Sequence, residues 1–504
     1  MTNHLFDGLL ADANRSARLA SFEDRTNWTY GDLIDASGRM ANALVALGVT
    51  PGDRVAVQVP KSIEAIALYL GCLRVGAVFL PLNTAYLADE LTYFISDAGA
   101  AVFVCDPERA AELAPIANNE NAVLVSLGAQ GDGTLAKLAS DNDCTFSNVA
   151  RGPDDLAAIL YTSGTTGRSK GAMQTHDNLL SNAKALVDLW QFTKSDVLFH
   201  ALPIFHTHGL FVATNVVMLS GGSMIFLPGF SVDRAIAHLP KATSMMGVPT
   251  FYTRLLDDPR FTSDLVAHMR VFISGSAPLL AETHLAFENL TGQRILERYG
   301  MSESGMITSN PYDAERRAGT VGFALPGVSI RICEEKTGKP VPAGEIGILE
   351  TKGPNLFKGY WNMPEKTAEE HREDGFFITG DLAREDADGY VQIVGRSKDL
   401  IISGGYNIYP KEVELLLDEQ DGVLETAVIG VPHSDFGEGV VGVVVATDPA
   451  LTADSLMAAI RDRIARFKQP KHIAFLPELP RNTMGKVQKN VLRDQFAGVF
   501  KPEN

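Results

Sequence analysis

Cysteine is scarce in this chain: four in 504 residues, at positions 72, 105, 144 and 333, with no C-x-x-C pair among them. Such spacing excludes a disulfide framework and a thiolate zinc cluster, and it points to a reducing compartment, read here as the cytoplasm. Positive charge is in deficit as well. Lys and Arg total 44 against 61 Asp and Glu, so the formal net charge of −17 would repel a duplex; nucleic acid is excluded as a main partner, and anionic ligands must meet local positive patches. No run approaches the roughly 18 apolar residues that a membrane span requires, and Met1-Thr2-Asn3-His4-Leu5-Phe6-Asp7 lacks the basic-then-apolar pattern of a leader. Neither a membrane nor an export route is expected.

The remaining composition, 45% hydrophobic and 21% charged, is that of a globular protein too long for one core, so two or three domains are expected. From residue 53 apolar runs alternate with helical periodicity: 54–59, 77–80, 101–104, 223–227 and 270–273 read as strands and 62–75 as a helix. Thr175-His176-Asp177-Asn178 offers N-cap chemistry for a helix from about Leu179. Between about 318 and 395 short strands and turn signals dominate. Beyond Gly395 the pattern is helix 410–419, strands 426–431 and 439–446, helix 453–467 and strand 473–476. The expected architecture is α/β: a large multi-layered amino-terminal domain, 1–395, with a β-rich subdomain at about 318–395, and a small mobile α+β carboxy-terminal domain, 396–504.

Straight after the apolar stretch Leu156-Ala157-Ala158-Ile159-Leu160 comes Tyr161-Thr162-Ser163-Gly164-Thr165-Thr166-Gly167-Arg168-Ser169-Lys170-Gly171. Glycines turn backbone N–H groups toward an anion, hydroxyls donate to phosphate oxygens and two cations neutralise charge, so this is a phosphate cradle at a strand end. It is not a P-loop, because Ser169 rather than glycine precedes Lys170 and Gly171 follows it.

The order of these residues closely resembles the phosphate-binding signature of the acyl-adenylate-forming family, and further motifs in the family's order extend the resemblance to about residue 490. It implies a two-step reaction with ATP and coenzyme A as co-substrates and Mg²⁺ as cofactor: a carboxylate attacks the α-phosphate, pyrophosphate leaves, and the CoA thiol then displaces AMP. Phosphate contacts fall to Thr162, Ser163, Gly164, Thr165, Thr166, Gly167 and Lys170. In Leu296-Glu297-Arg298-Tyr299-Gly300-Met301-Ser302-Glu303 the resemblance places Tyr299 beside the adenine and gives Glu303, with Thr162, to the metal; one carboxylate plus ATP phosphates suffices for an ion that keeps several waters. Asp381, in Ile378-Thr379-Gly380-Asp381-Leu382, becomes the ribose ligand, its two oxygens suited to a diol. Around Gly395-Arg396-Ser397-Lys398-Asp399, Arg396 is assigned to ribose or phosphate and Lys398 to the hinge, while Gly404, Gly405 and Tyr406 form the loop against the pantetheine arm. Pro480-Arg481-Asn482-Thr483-Met484-Gly485-Lys486 supplies the principal catalytic residue, Lys486, which would bridge the substrate carboxylate and the α-phosphate where like charges meet. Met484 departs from the serine that family members often carry there and leaves the lysine in place. Acetylation of Lys486 would remove its charge and is expected as a regulatory modification.

The acyl pocket is assigned to Pro203-Ile204-Phe205-His206-Thr207-His208-Gly209 and to the segment 248–256. His206 is catalytic together with Glu303 and faces the substrate carboxylate, as does Ser274, whereas His208 reads as a core histidine bonded to backbone. Arg254, on the face of Phe251 and Leu255, would pair with a second carboxylate, for which a guanidinium fork is well matched. The motifs together imply malonate as the acid, with methylmalonate as a second substrate. A short- or medium-chain monocarboxylate, a carrier protein in place of CoA, and a non-catalytic nucleotide sensor remain as alternatives.

Overall fold

In the computed structural model, residues 2–162, 169–403, 406–433, 436–461, 463–464, 466–482 and 485–500 are described. The chain divides into two compact units, Met1–Ser329 with Thr351–Phe377, and Ile330–Glu350 with Ile378–Asn504. The architecture is the expected mixed α/β one.

The first unit contains two large sheets. One has six strands in the order Val123–Ser126, Val102–Cys105, Arg54–Gln58, Val78–Pro81, Leu156–Thr162, Lys170–Thr175; all neighbours are parallel except the last pair. Its strands are near-continuous apolar runs because parallel sheets are covered on both faces. Helix Ile63–Val75 has Ser62 as N-cap and Gly76 at φ +77° as its left-handed stop, and it is buried almost all round. The other sheet has nine strands, its centre built from the parallel strands Leu296–Met301, Val271–Ser274, Ser244–Gly247, Val197–His200 and Ser223–Phe226. The carboxyl ends of such strands are where an open α/β sheet presents a ligand crevice. The helix after the cradle starts at His176, earlier than the expected Leu179, because Thr175 itself is the N-cap: its hydroxyl accepts from Asn178 N–H while the Asn178 side chain accepts from Thr175 N–H at 2.9 Å.

The second unit joins a four-stranded sheet, Ser329–Cys333, Gly347–Lys352, Phe377–Glu385 and Val391–Arg396, to an α+β body. In that body Val423–His433 and Gly437–Ala446 form a long antiparallel pair with His472–Phe475 parallel to it. One face is packed around Val413, Leu417, Leu456 and Ile460, the other around Leu479 and Leu492. Helix Ala453–Ile460 is shorter than the expected 453–467.

Candidate active site

The cradle connects two antiparallel strands, with Thr162 facing Lys170. Ser163, Gly164, Thr165, Thr166 and Gly167 lie outside the described residues. At the base of the loop, Lys170 Nζ donates to Glu370 at 2.8 Å and sits 4.1 Å from the centre of the Tyr360 ring. The Tyr360 hydroxyl donates to Glu370 at 2.6 Å and reaches Glu303 at 3.2 Å. Lys170 and Glu303 are thereby tied into one network. Burial pushes the Glu303 carboxyl above its usual range, with Lys170 opposing; Glu370 is pushed up by burial too, but the Lys170 and Tyr360 hydrogen bonds outweigh it and hold that carboxyl low.

A buried carboxylate with one phenolic partner fits as the protein ligand of a Mg²⁺ ion that arrives with a nucleotide. In Tyr360→Phe the ring would still cover Lys170 while Glu303 loses its hydroxyl partner. The Mg²⁺ concentration for half-maximal AMP release should rise about tenfold, read from a metal titration at saturating ATP.

Tyr299 is half-buried on strand Leu296–Met301, which turns back through Glu303 into Gly305–Ser309. Gly300 is required here, since a Cβ would stand 2.1 Å from the Gly305 carbonyl oxygen.

A second group of polar residues lies at the carboxyl ends of the parallel strands Val197–His200, Val271–Ser274 and Leu296–Met301 and in the segments that follow them. Past His200 the chain reaches His206 and then the π-helical segment His208–Thr214, in which Val212 N–H donates to the Thr207 carbonyl at 2.9 Å. His206 is half-buried, with its Nδ1 3.5 Å from His208 N. His208 corrects the sequence reading: it is buried, but its Nδ1 pairs with the side chain of Ser276 at 3.1 Å rather than with backbone. Burial, then Arg298 and the neighbouring histidines, lowers its pKa well below the usual value, so the ring is neutral. Ser276 itself is held at φ +72°, a strained setting for a residue with a Cβ.

Beside this ring lies Arg298, 4% exposed. Its guanidinium presses on Gly275, where a Cβ would be 2.4 Å from Cζ. It forms no ion pair among the described residues, and its Nε and one terminal nitrogen have no partner; burial draws its pKa down to about 9, so it stays charged at neutral pH. Ser274 Oγ, Thr207 Oγ1 and His208 Nε2 are likewise buried without partners. Polar groups at this depth are costly to leave unpaired, and an arginine most of all. Arg254 stands exposed on helix Pro249–Leu256, whose Phe251 stacks on Phe230 at 4.0 Å.

In the second unit, Asp381 is buried and forms an ion pair with Arg396 at 3.0 Å across adjacent strands. Lys398 is in the one-turn helix Ser397–Asp399; burial and then Arg396 lower its pKa. Gly404 and Gly405 lie outside the described residues, as does the side chain of Tyr406, whose backbone pairs with Ser403. Lys486 is exposed in a turn closed by Asn482 N–H donating to the Lys486 carbonyl at 2.9 Å. Thr483 and Met484 lie outside the described residues.

The AMP-binding enzyme family matches residues 11–361, and the AMP-binding enzyme C-terminal domain matches 412–486. The chain belongs to the AMP-binding enzyme family. Among relatives of this family, the malonate–CoA ligase of Arabidopsis thaliana is 32% identical over 97% of this chain and 88% of its own. The feruloyl-CoA synthase of an Amycolatopsis species is 37% identical over 94% of each. ATP-bound MatB from Rhodopseudomonas palustris is 54% identical, with a TM-score of 0.98 over 99% of this chain and 100% of that one.

For an AMP-binding enzyme the sequence reading overlooked Arg298, Ser276, Tyr360 and Glu370. A signal existed for Arg298, since a cation inside a short strand of a parallel sheet breaks the apolar run expected there. Tyr360 and Glu370 had none; they are distant in sequence from Lys170 and Glu303 and meet them only in the fold.

Proposed function

We propose that the chain is an AMP-forming malonate–CoA ligase. The observation that carries this reading is Arg298, a buried and charged guanidinium without an acidic partner, packed on Gly275 between Ser274 and the Ser276 that bonds His208. A monocarboxylic acid would use its one charge at the reaction centre and leave the arginine uncompensated; the second carboxylate of malonate fills its fork. Arg254 adds a cation on the exposed side of the neighbouring helix.

ATP is held by the cradle 162–170, with Tyr299 against the adenine and Asp381 and Arg396 toward the ribose. Glu303 would hold a Mg²⁺ ion arriving with ATP, and that ion would supply charge neutralisation at the phosphates. His206 lines the route of the reacting carboxylate. That carboxylate attacks the α-phosphate while the ammonium of Lys486 offsets the charge of the approaching anions, and pyrophosphate leaves. For the second step Lys398 is the pivot, and the loop of Gly404, Gly405 and Tyr406 lies along the pantetheine arm, where the thiol displaces AMP. Acetylation of Lys486 would silence the first step alone. Supporting these roles are the buried Asp381–Arg396 pair, the Glu303 network and the exposure of Lys486.

The test is AMP release with ATP, Mg²⁺ and CoA across malonate, methylmalonate, succinate, acetate and octanoate. Strong preference for malonate is expected. Preference for acetate or octanoate would overturn the substrate, and silence with every acid despite ATP binding would mark a nucleotide sensor.

A further inference from the structure

A second basic group without an acidic partner reaches the strand that leads into the His208 segment. Lys61, just ahead of helix Ile63–Val75, forms no ion pair among the described residues; its Nζ reaches His200 Nδ1 at 3.0 Å and the His200 carbonyl at 2.9 Å, under the Phe226 ring at 4.4 Å. A carbonyl oxygen can only accept, so the Nε2 of His200, which faces the Gly209 carbonyl, carries the hydrogen and its Nδ1 accepts from Lys61. That Nε2 lies 2.9 Å from the Gly209 carbonyl, which also accepts from Thr214 Oγ1 at 2.9 Å. Every member of this chain is satisfied, and it ends on the peptide next to His208. Gly209 has no slack, because a Cβ there would meet the Pro203 carbonyl oxygen at 2.0 Å.

Were the role only to fill space, an apolar side chain would do so without dehydrating a cation. We propose that Lys61 is a positioning residue for acid recognition: by fixing the tautomer of His200 it anchors the Gly209 carbonyl, and with it the segment that presents His206 and His208 to the substrate. The inference rests on the reading of this pocket as the acyl site. Burial, and then the neighbouring Lys61, lowers the pKa of His200 well below its usual value, which keeps the ring neutral and its Nδ1 able to accept.

The experiment compares Lys61→Met, Lys61→Arg and His200→Gln with Arg298→Met, measuring KM for malonate and for ATP, kcat, and unfolding temperature. Lys61→Met and His200→Gln should each raise the malonate KM about tenfold or more with the ATP KM unchanged, and Lys61→Arg, which keeps a donor, should recover most of the loss. Equal changes in both KM values, or a lower unfolding temperature with malonate KM untouched, would reduce Lys61 to a structural role and overturn the proposal. If Lys61→Met fails to fold, His200→Gln decides by the same criteria. An unchanged malonate KM in Arg298→Met would instead refute the acyl-site reading, so the two failures are distinguishable.

Discussion

Lys486→Ala should lose adenylate formation by about 10²–10³-fold, the effect of removing one preorganised group aimed at charge in a transition state. Thioester formation from supplied malonyl-adenylate and CoA should continue at the wild-type rate, because in that step the carboxylate and phosphate are already joined. The two half-reactions are separated by following pyrophosphate release in the first assay and thioester formation in the second. Equal loss in both would remove Lys486 from its assigned step. The local structure favours a clean comparison: Lys486 is exposed, and the turn carrying it is held by backbone and by Asn482 Oδ1 accepting from Lys486 N–H at 3.0 Å. Truncating the side chain leaves those bonds in place.

Arg298→Met should have opposite effects on activity and stability. Activity with malonate, as kcat/KM, should fall about 10²-fold or more, since a dianion would then be buried against no cation, a loss of roughly 2–5 kcal/mol. The free protein should gain stability. Its guanidinium is buried, has donors with no acceptor, and is drawn down to about 9 by burial. Because this value lies below that of an unfolded arginine, the charged group opposes folding at neutral pH, and the penalty fades as pH rises through about 9. Replacing it by an apolar side chain of similar length removes the penalty, so the unfolding temperature should rise by the equivalent of ~1–4 kcal/mol. A fall in both activity and unfolding temperature would mean that Arg298 serves packing, not recognition. Arg254→Ala is the informative comparator: its exposed side chain has no such penalty to relieve, so the malonate KM should rise more than the ATP KM while stability is unchanged.

Malonate also changes how the strain at Ser276 is understood. A left-handed backbone at a serine persists where the surroundings hold it, and here the holding contact is His208. The proposed acyl site thus brings together a strained turn, a buried cation and unpaired hydroxyls, each of which lowers the stability of the free protein. Such a trade between stability and function is common at sites built to receive charge.

Local chemistry was legible from the residues alone. The apolar strand before the cradle and the helix that starts at Pro249 form as read, whereas the exact caps, Ser62 and Thr175, were placed only by the structure. The order of motifs along the chain was enough to place it among enzymes that bind AMP. Long-range pairings were not legible. Lys170 meets Glu370 across two hundred positions, Arg298 loses contact with water only when its strand enters a sheet, and Lys61 meets His200 across 139 positions. Arg254 and Arg298 illustrate the division. Both are arginines near the expected pocket, and residue type gives each the same fork; burial alone separates them, since the energy of a charge depends on the dielectric around it and that is set by neighbours from everywhere in the chain. The sequence by itself determined the reaction chemistry and the strand and helix rhythm, because both reside in short stretches. Only the tertiary structure decided which cation is desolvated, which carboxylates share a proton donor, and which histidine is held neutral.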